Sequence, residues 1–284
     1  MAVLSVDLAF RRWSDLGIVL MERVHAAAVR DTATLGPLGL PLKPTFGATK
    51  SGNILAAPEP AEGTIFCEIL RWDDPGPVAP ENLAGRLNHI CATRNVKILM
   101  LDGPQAWKSG SNGLEFSRVS ERQLNKPAKT GLPGMVKPLS SRPFAEYCLD
   151  VYDALCRRGW HRLQTRTQPV TSPERVLVES YPQAAWKSLG IKPLPSKRRA
   201  KVSDLAEAYA ALRVLMPITT DRPPNHDQLQ AIVGGLCGLA LEERNTAGAR
   251  IVGKPPKRED GHWREGFIVL PLPPSHTSTV RWLH

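Results

Sequence analysis

Apolar residues first gather at Ala2-Val3-Leu4-Ser5-Val6, a nearly unbroken run that closes on Asp7. Such a run suits a strand covered on both faces, with the acid at its carboxyl end. Gly17 to Val24 follows after a turn and predicts its hairpin partner, and Thr64 to Leu70 predicts a third strand. From Pro80 the spacing of Leu83, Leu87, Ile90 and Cys91 marks one face of a helix, and Val96 to Asp102 is the clearest buried strand in the chain. A helix between two strands implies a right-handed crossover to a parallel neighbour. Arg142 to Arg158 is helical through Phe144, Tyr147, Cys148, Val151 and Leu155, and Arg175 to Tyr181 supplies a fifth strand, with Pro182 opening a helix after it. Two amphipathic helices over 203–216 and 225–243 and a last edge strand over Glu265 to Leu270 complete the pattern. The order predicts an α/β fold: a mixed five-stranded sheet flanked by helices.

Gly and Pro concentrate between these elements, over 25–63 and 103–141, which predicts a single domain spanning 1–284 with insertions at those two places. The second insertion reads either as disorder or as a segment that covers a substrate. At 42% hydrophobic and 23% charged residues, wholesale disorder is excluded. Five cysteines without Cys-x-x-Cys spacing predict reduced, buried thiols. No stretch approaches the roughly 18 apolar residues of a membrane span, so the cytoplasm is the expected location and a membrane is not an expected partner. Lys and Arg exceed Asp and Glu by 37 to 27. The excess falls in short groups: Arg11-Arg12, Arg157-Arg158 with His161-Arg162, Lys197-Arg198-Arg199 with Lys201, and Lys254 with Lys257-Arg258. Such groups in one basic chain favour a polyanionic partner, either DNA or RNA, over a purely solvated surface. The oligomeric state is not legible.

Three strands deliver an acid at or near the carboxyl edge: Asp7, Asp102 and Glu179. In open α/β sheets the functional crevice lies along that edge. A fourth acid, Asp227, opens a late helix whose N-terminus can face the same crevice. Crowded carboxylates repel one another unless a cation neutralises them, and oxygen donors suit Mg²⁺ or Mn²⁺. The competing view makes Asp102-Gly103-Pro104 only a turn and Asp227 only a helix cap. Other chemistries lack their motifs. Of the seven His only His226 adjoins a candidate acid, and no glycine-rich phosphate loop follows the first strand. Gly234, Gly235 and Gly238 lie inside an apolar helix, where close packing is their expected use.

Taken in order, Val6-Asp7, Leu101-Asp102-Gly103-Pro104-Gln105, Arg118-x-x-Glu121-Arg122, Val178-Glu179-Ser180-Tyr181-Pro182-Gln183-Ala184-Ala185 with Leu189-Gly190, Ser196-Lys197-Arg198, and Asn225-His226-Asp227-Gln228-Leu229-Gln230-Ala231 run over nearly the whole chain. This ordered set resembles the domain-of-unknown-function 429 family, regarded as nucleases of ribonuclease H-like fold and similar to the wider group that includes Holliday-junction resolvases. The resemblance implies a metal-dependent nuclease. It assigns Asp7, Asp102 and Asp227 as ligands of Mg²⁺ or Mn²⁺, with Glu179 as a further catalytic carboxylate. Under a nuclease reading the basic residues Lys197, Arg198, Arg199 and Arg118 are the expected contacts to nucleic acid, and His226 or Lys197 is expected to orient the water or the phosphate, against a plain surface role for each. The late motif of that group carries two acids three residues apart, whereas the second position here is Gln230, an amide without charge. That departure favours the alternative of a non-catalytic nucleic-acid or protein-binding module that keeps the fold. A phosphotransferase of actin-like type would need a Gly-Thr-rich turn after Asp7, where the chain reads Leu8-Ala9-Phe10-Arg11-Arg12.

Overall fold

The computed structural model describes residues 2–24, 61–166 and 174–274, so the insertion expected near 25–63 lies almost wholly outside the described residues. In chain order the strands and helices are β1 (Ala2–Asp7), β2 (Gly17–Arg23), β3 (Ile65–Leu70), α1 (Pro80–Thr93), β4 (Ile98–Asp102), α2 (Val119–Gln123), β5 (Lys129–Thr130), β6 (Val136–Lys137), α3 (Arg142–Arg157), β7 (His161–Arg162), β8 (Val176–Ser180), α4 (Pro182–Ser188), α5 (Val202–Leu215), β9 (Ile218–Thr220), α6 (His226–Glu242), β10 (Ala249–Glu259) and β11 (His262–Pro271). The main sheet has nine strands rather than five, ordered β10-β11-β8-β4-β1-β2-β3-β9 with β7 also on β8. The five expected strands form its centre. β2 runs antiparallel to both β1 and β3, while β4 lies parallel to β1 and β8 parallel to β4.

The added strands hide from sequence patterns for physical reasons. β9 is three residues long, and β10 carries Gly253, Pro255 and Pro256, which an outer strand tolerates because one of its edges needs no ladder donors. The expected edge strand over 265–270 is the inner arm of this hairpin.

Helices cover both faces. α1 and α3 pack on one, in a core that includes Leu4, Leu87, Leu99, Tyr152 and Trp160. α4, α5 and α6 pack on the other, around Val3, Met100, Val178, Trp186 and Ile232. Cover on both sides explains why β1, β4 and β8 read as continuous apolar runs instead of alternating ones. α6 can lie directly on the sheet because it presents glycines. A Cβ on Gly235 would come 2.5 Å from the Met21 sulfur and 2.7 Å from Ser5 Cβ, and one on Gly238 would come 2.7 Å from a Val3 methyl. Close packing, as expected, is what these glycines permit.

The 103–141 segment is ordered in the structure. Buried carboxylates satisfy its backbone: Glu265 accepts from Ser109 N (3.0 Å) and Val119 N (2.8 Å), and Glu121 accepts from Thr130 N (2.9 Å) and Thr130 Oγ1 (2.7 Å). The loop composition concealed this because one partner, Glu265, comes from distant sequence and the other, Glu121, is a single acid inside the segment that no periodicity marks. All five cysteines are free thiols, four of them buried. Among the described residues no helix is long and apolar enough to cross a membrane.

Candidate active site

Register brings the first two acids together. Asp7 pairs with Asp102 across the parallel β1/β4 ladder, so both side chains end their strands on the same face, the one α6 covers. The helix is fixed there by Ser5 Oγ, which donates to Ala231 O at 2.7 Å. Its first turn reaches the acids through a glycine. Gly17 sits opposite Asp7 in the β1/β2 ladder, and a Cβ on it would fall 2.1 Å from the Asp227 carbonyl oxygen. Only a hydrogen at that position lets the backbone of Asp227 rest on the strand beside Asp7.

Asp7 and Asp102 are half-buried as residues, with their carboxyls enclosed by protein. Burial, then the negative charges of Asp102 and Asp227, raise Asp7 well above the usual carboxylate range, and its hydrogen bond to Asp102 adds to the shift. Asp102 is pushed up to about 6, chiefly by burial, while Lys126 and the Asp7 hydrogen bond pull it back. The two carboxyls therefore titrate as a coupled pair, and burial with mutual repulsion disfavours both carrying charge at once.

Asp227 is already neutralised. Lys197 Nζ donates to Asp227 Oδ2 (2.5 Å) and to Asp15 Oδ1 (2.8 Å). The other Asp227 oxygen meets His226 Nδ1 at 3.1 Å, and His226 Nε2 lies 2.9 Å from Pro195 O. With an acceptor at each nitrogen, the imidazole favours its doubly protonated form: the Asp227 hydrogen bond raises its pKa against burial. Burial opposes the Asp227 charge, but the hydrogen bonds from His226 and Lys197 outweigh it and leave the carboxyl below its ordinary value.

Three expected residues do not join this group. Glu179 pairs with Leu101, one register position short of Asp102, so strand alternation turns it to the opposite face. There it is fully buried and takes both terminal nitrogens of Arg118 at 2.7 Å each, and Gln105 N at 3.1 Å. Arg118 is itself fully buried and also donates to Glu121 (3.1 Å), so it braces the 103–141 segment and has no surface to offer a phosphate. Gln230 accepts from the Trp186 indole at 2.7 Å, which gives its amide a packing role. Arg198 and Arg199, by contrast, are exposed and stand beside Lys197 without an acidic partner among the described residues.

A divalent cation can be tested against this geometry. The donors are all carboxylate oxygens, and two of them are pressed close enough to share a proton, a cost that a hard cation relieves. Asp7 and Asp102 are donors of the kind such an ion takes, while Asp227 is held by Lys197 and His226. As they stand, no three His, Cys, Asp or Glu side chains among the described residues are grouped around one point.

Sequence patterns missed Asp15, which holds Lys197, and Lys126, which lies 3.9 Å from Glu179 and 4.8 Å from the Tyr181 ring centre and whose charge acts on Asp102. No spacing rule could have found them, since both act through tertiary approach. Cys148 was read only as helix core. Its sulfur would stand 2.4 Å from a Cβ on Gly103, just past Asp102, and burial, then Asp102, raises its pKa.

No family model matches the chain, and no curated protein matches it. Among solved structures it is similar to that of RuvC from Thermus thermophilus, at a TM-score of 0.37 and 9% identity, with 90% of this chain and 99% of that one covered. A likeness of that size carries no argument, and the chemistry of the site rests on its own side chains.

Proposed function

We propose that the protein is a metal-dependent nuclease of ribonuclease H-like fold, hydrolysing phosphodiester bonds at the Asp7, Asp102 and Asp227 site. The observation that carries this is the register pairing of Asp7 with Asp102 at the carboxyl ends of adjacent parallel strands, under a helix whose first turn carries Asp227. The ordered motifs that resemble the domain-of-unknown-function 429 family support the same reading. Mg²⁺ or Mn²⁺, when bound, supplies polarisation of the phosphate and a water made nucleophilic at neutral pH. Both strand-end carboxylates would turn their charge toward one point. Arg198 and Arg199 hold the flanking sugar-phosphate chain by charge, without reading sequence. Lys126 limits the repulsion between Asp102 and the phosphate.

Labelled DNA, RNA, hybrid and junction substrates, each with Mg²⁺ and with Mn²⁺, test the reading. We expect cleavage by the wild type and its loss, by at least about a hundredfold, in Asp7→Asn with salt-sensitive binding retained. Cleavage at an unchanged rate in Asp7→Asn would place the chemistry elsewhere. A second reading, a non-catalytic nucleic-acid or protein-binding module, is favoured by two observations: Lys197 occupies Asp227, and Gln230 is tied to Trp186. Salt-dependent binding with no cleavage of any substrate would select it.

A further inference from the structure

Lys197 is unusual among the cations of this protein. Its ammonium is half exposed, yet it bridges two acids from distant parts of the chain, and one of them, Asp227, is nearly buried. The segment that carries it is fastened to the start of α6 by a second contact, from His226 Nε2 to Pro195 O, and closes on itself through Arg199 N and Ala200 N, both donating to Ser196 O (2.7 and 3.0 Å). The ammonium thus stands where a cation shared by the three candidate ligands would draw on Asp227. Asp7 senses both the Asp227 charge and the lysine's.

We infer that Lys197 is a resident counter-ion of the site, which a divalent cation must displace from Asp227. The inference rests on the nuclease reading and deepens it. Asp227 Oδ1 already faces His226, which leaves Oδ2, the oxygen that Lys197 holds, for a metal, so metal and lysine compete for it. Displacement frees Lys197 beside Arg198 and Arg199, adding a third charge to the surface that would face the phosphate backbone. The ammonium so acts as a placeholder that keeps the acids apart from one another's repulsion in the absence of metal, then changes partner. Lys197 is a positioning residue in this scheme, since it acts through Asp227.

Mn²⁺ binding followed by the electron paramagnetic resonance of the free ion tests this without reference to cleavage. Lys197→Met keeps the aliphatic stem and removes the charge, and should bind Mn²⁺ about three to tenfold more tightly than wild type. Lys197→Arg keeps the charge and should gain nothing. A second measurement uses the wild type alone: acetylation of Lys197, mapped by mass spectrometry, should become severalfold faster at saturating Mn²⁺, because the released amine is no longer held by two acids. Equal Mn²⁺ affinity in wild type and Lys197→Met, or acetylation indifferent to Mn²⁺, would overturn the inference and leave the nuclease reading standing. Absence of Mn²⁺ binding in both wild type and Lys197→Met would remove the reading and the inference together.

Discussion

At the scale of single residues, the site is a place where folding works against charge. Burial pushes Asp102 up to about 6 from an ordinary 3.8. Between those values the unfolded chain has released a proton that the folded chain keeps, so stability falls as pH rises through the window and the loss is complete above it. In metal-free buffer Asp102→Asn should therefore raise the melting temperature at about pH 7.5 by roughly 2–5 °C, allowing for solvent screening, with the difference vanishing below about pH 4. An equal gain at both pH values would show that ionisation is not its source. Gln230 makes the contrasting case. In the sequence it stands three residues after Asp227, where a resembling family places an acid, and nothing there shows that its amide serves Trp186. Gln230→Asp should leave the buried indole N–H without its acceptor and cost about 1–2 kcal/mol in denaturant unfolding, with Mn²⁺ affinity no better than wild type.

At the scale of elements, periodicity located nearly every long helix and central strand to within a residue or two, because each buries one face or two against a layer. Contacts between elements were less legible. Glu179 was grouped with Asp7 and Asp102 since all three sit near strand ends, but a one-residue difference in register reverses the face, and register is a property of the ladder rather than of the strand. Gly17 is the converse. It reads as the plain start of a hairpin strand, yet its bare α-carbon sets the distance between β2 and the first turn of α6. Gly17→Ala should force that turn outward, lower stability by about 1–3 kcal/mol, and weaken Mn²⁺ binding through the displaced Asp227. Calorimetry beside a metal titration separates the two effects. A variant as stable as wild type would mean the helix start yields freely.

At the scale of the whole molecule, the net charge of +10 pointed to a polyanion but not to the surface that would meet it. The structure sorts the basic groups by what they already hold. Arg157 and Arg158 both bind Glu81 at the surface, buried Arg162 reaches out to half-exposed Asp153, and Lys257 pairs with Glu259, so these charges already have acidic partners. Arg198 and Arg199, next to Lys197 in the chain, are exposed and have no acidic partner among the described residues. Reversing both to Glu should lower the slope of log affinity against log salt by about 2, since each lost phosphate contact removes roughly one released counterion, whatever the nucleic acid. A slope unchanged from wild type would move the interface to another face. The hairpin at the far side of the sheet bears on a different property. Its outer strand, β10, breaks register between Lys254 and Lys257, where Pro255 and Pro256 stand. Prolines bring no amide hydrogen to an open edge, and the register break beside them interrupts the ladder. A second chain laid along that border would meet a gap in its donors at Pro255 and Pro256, so the sheet resists growing into fibrils along that stretch.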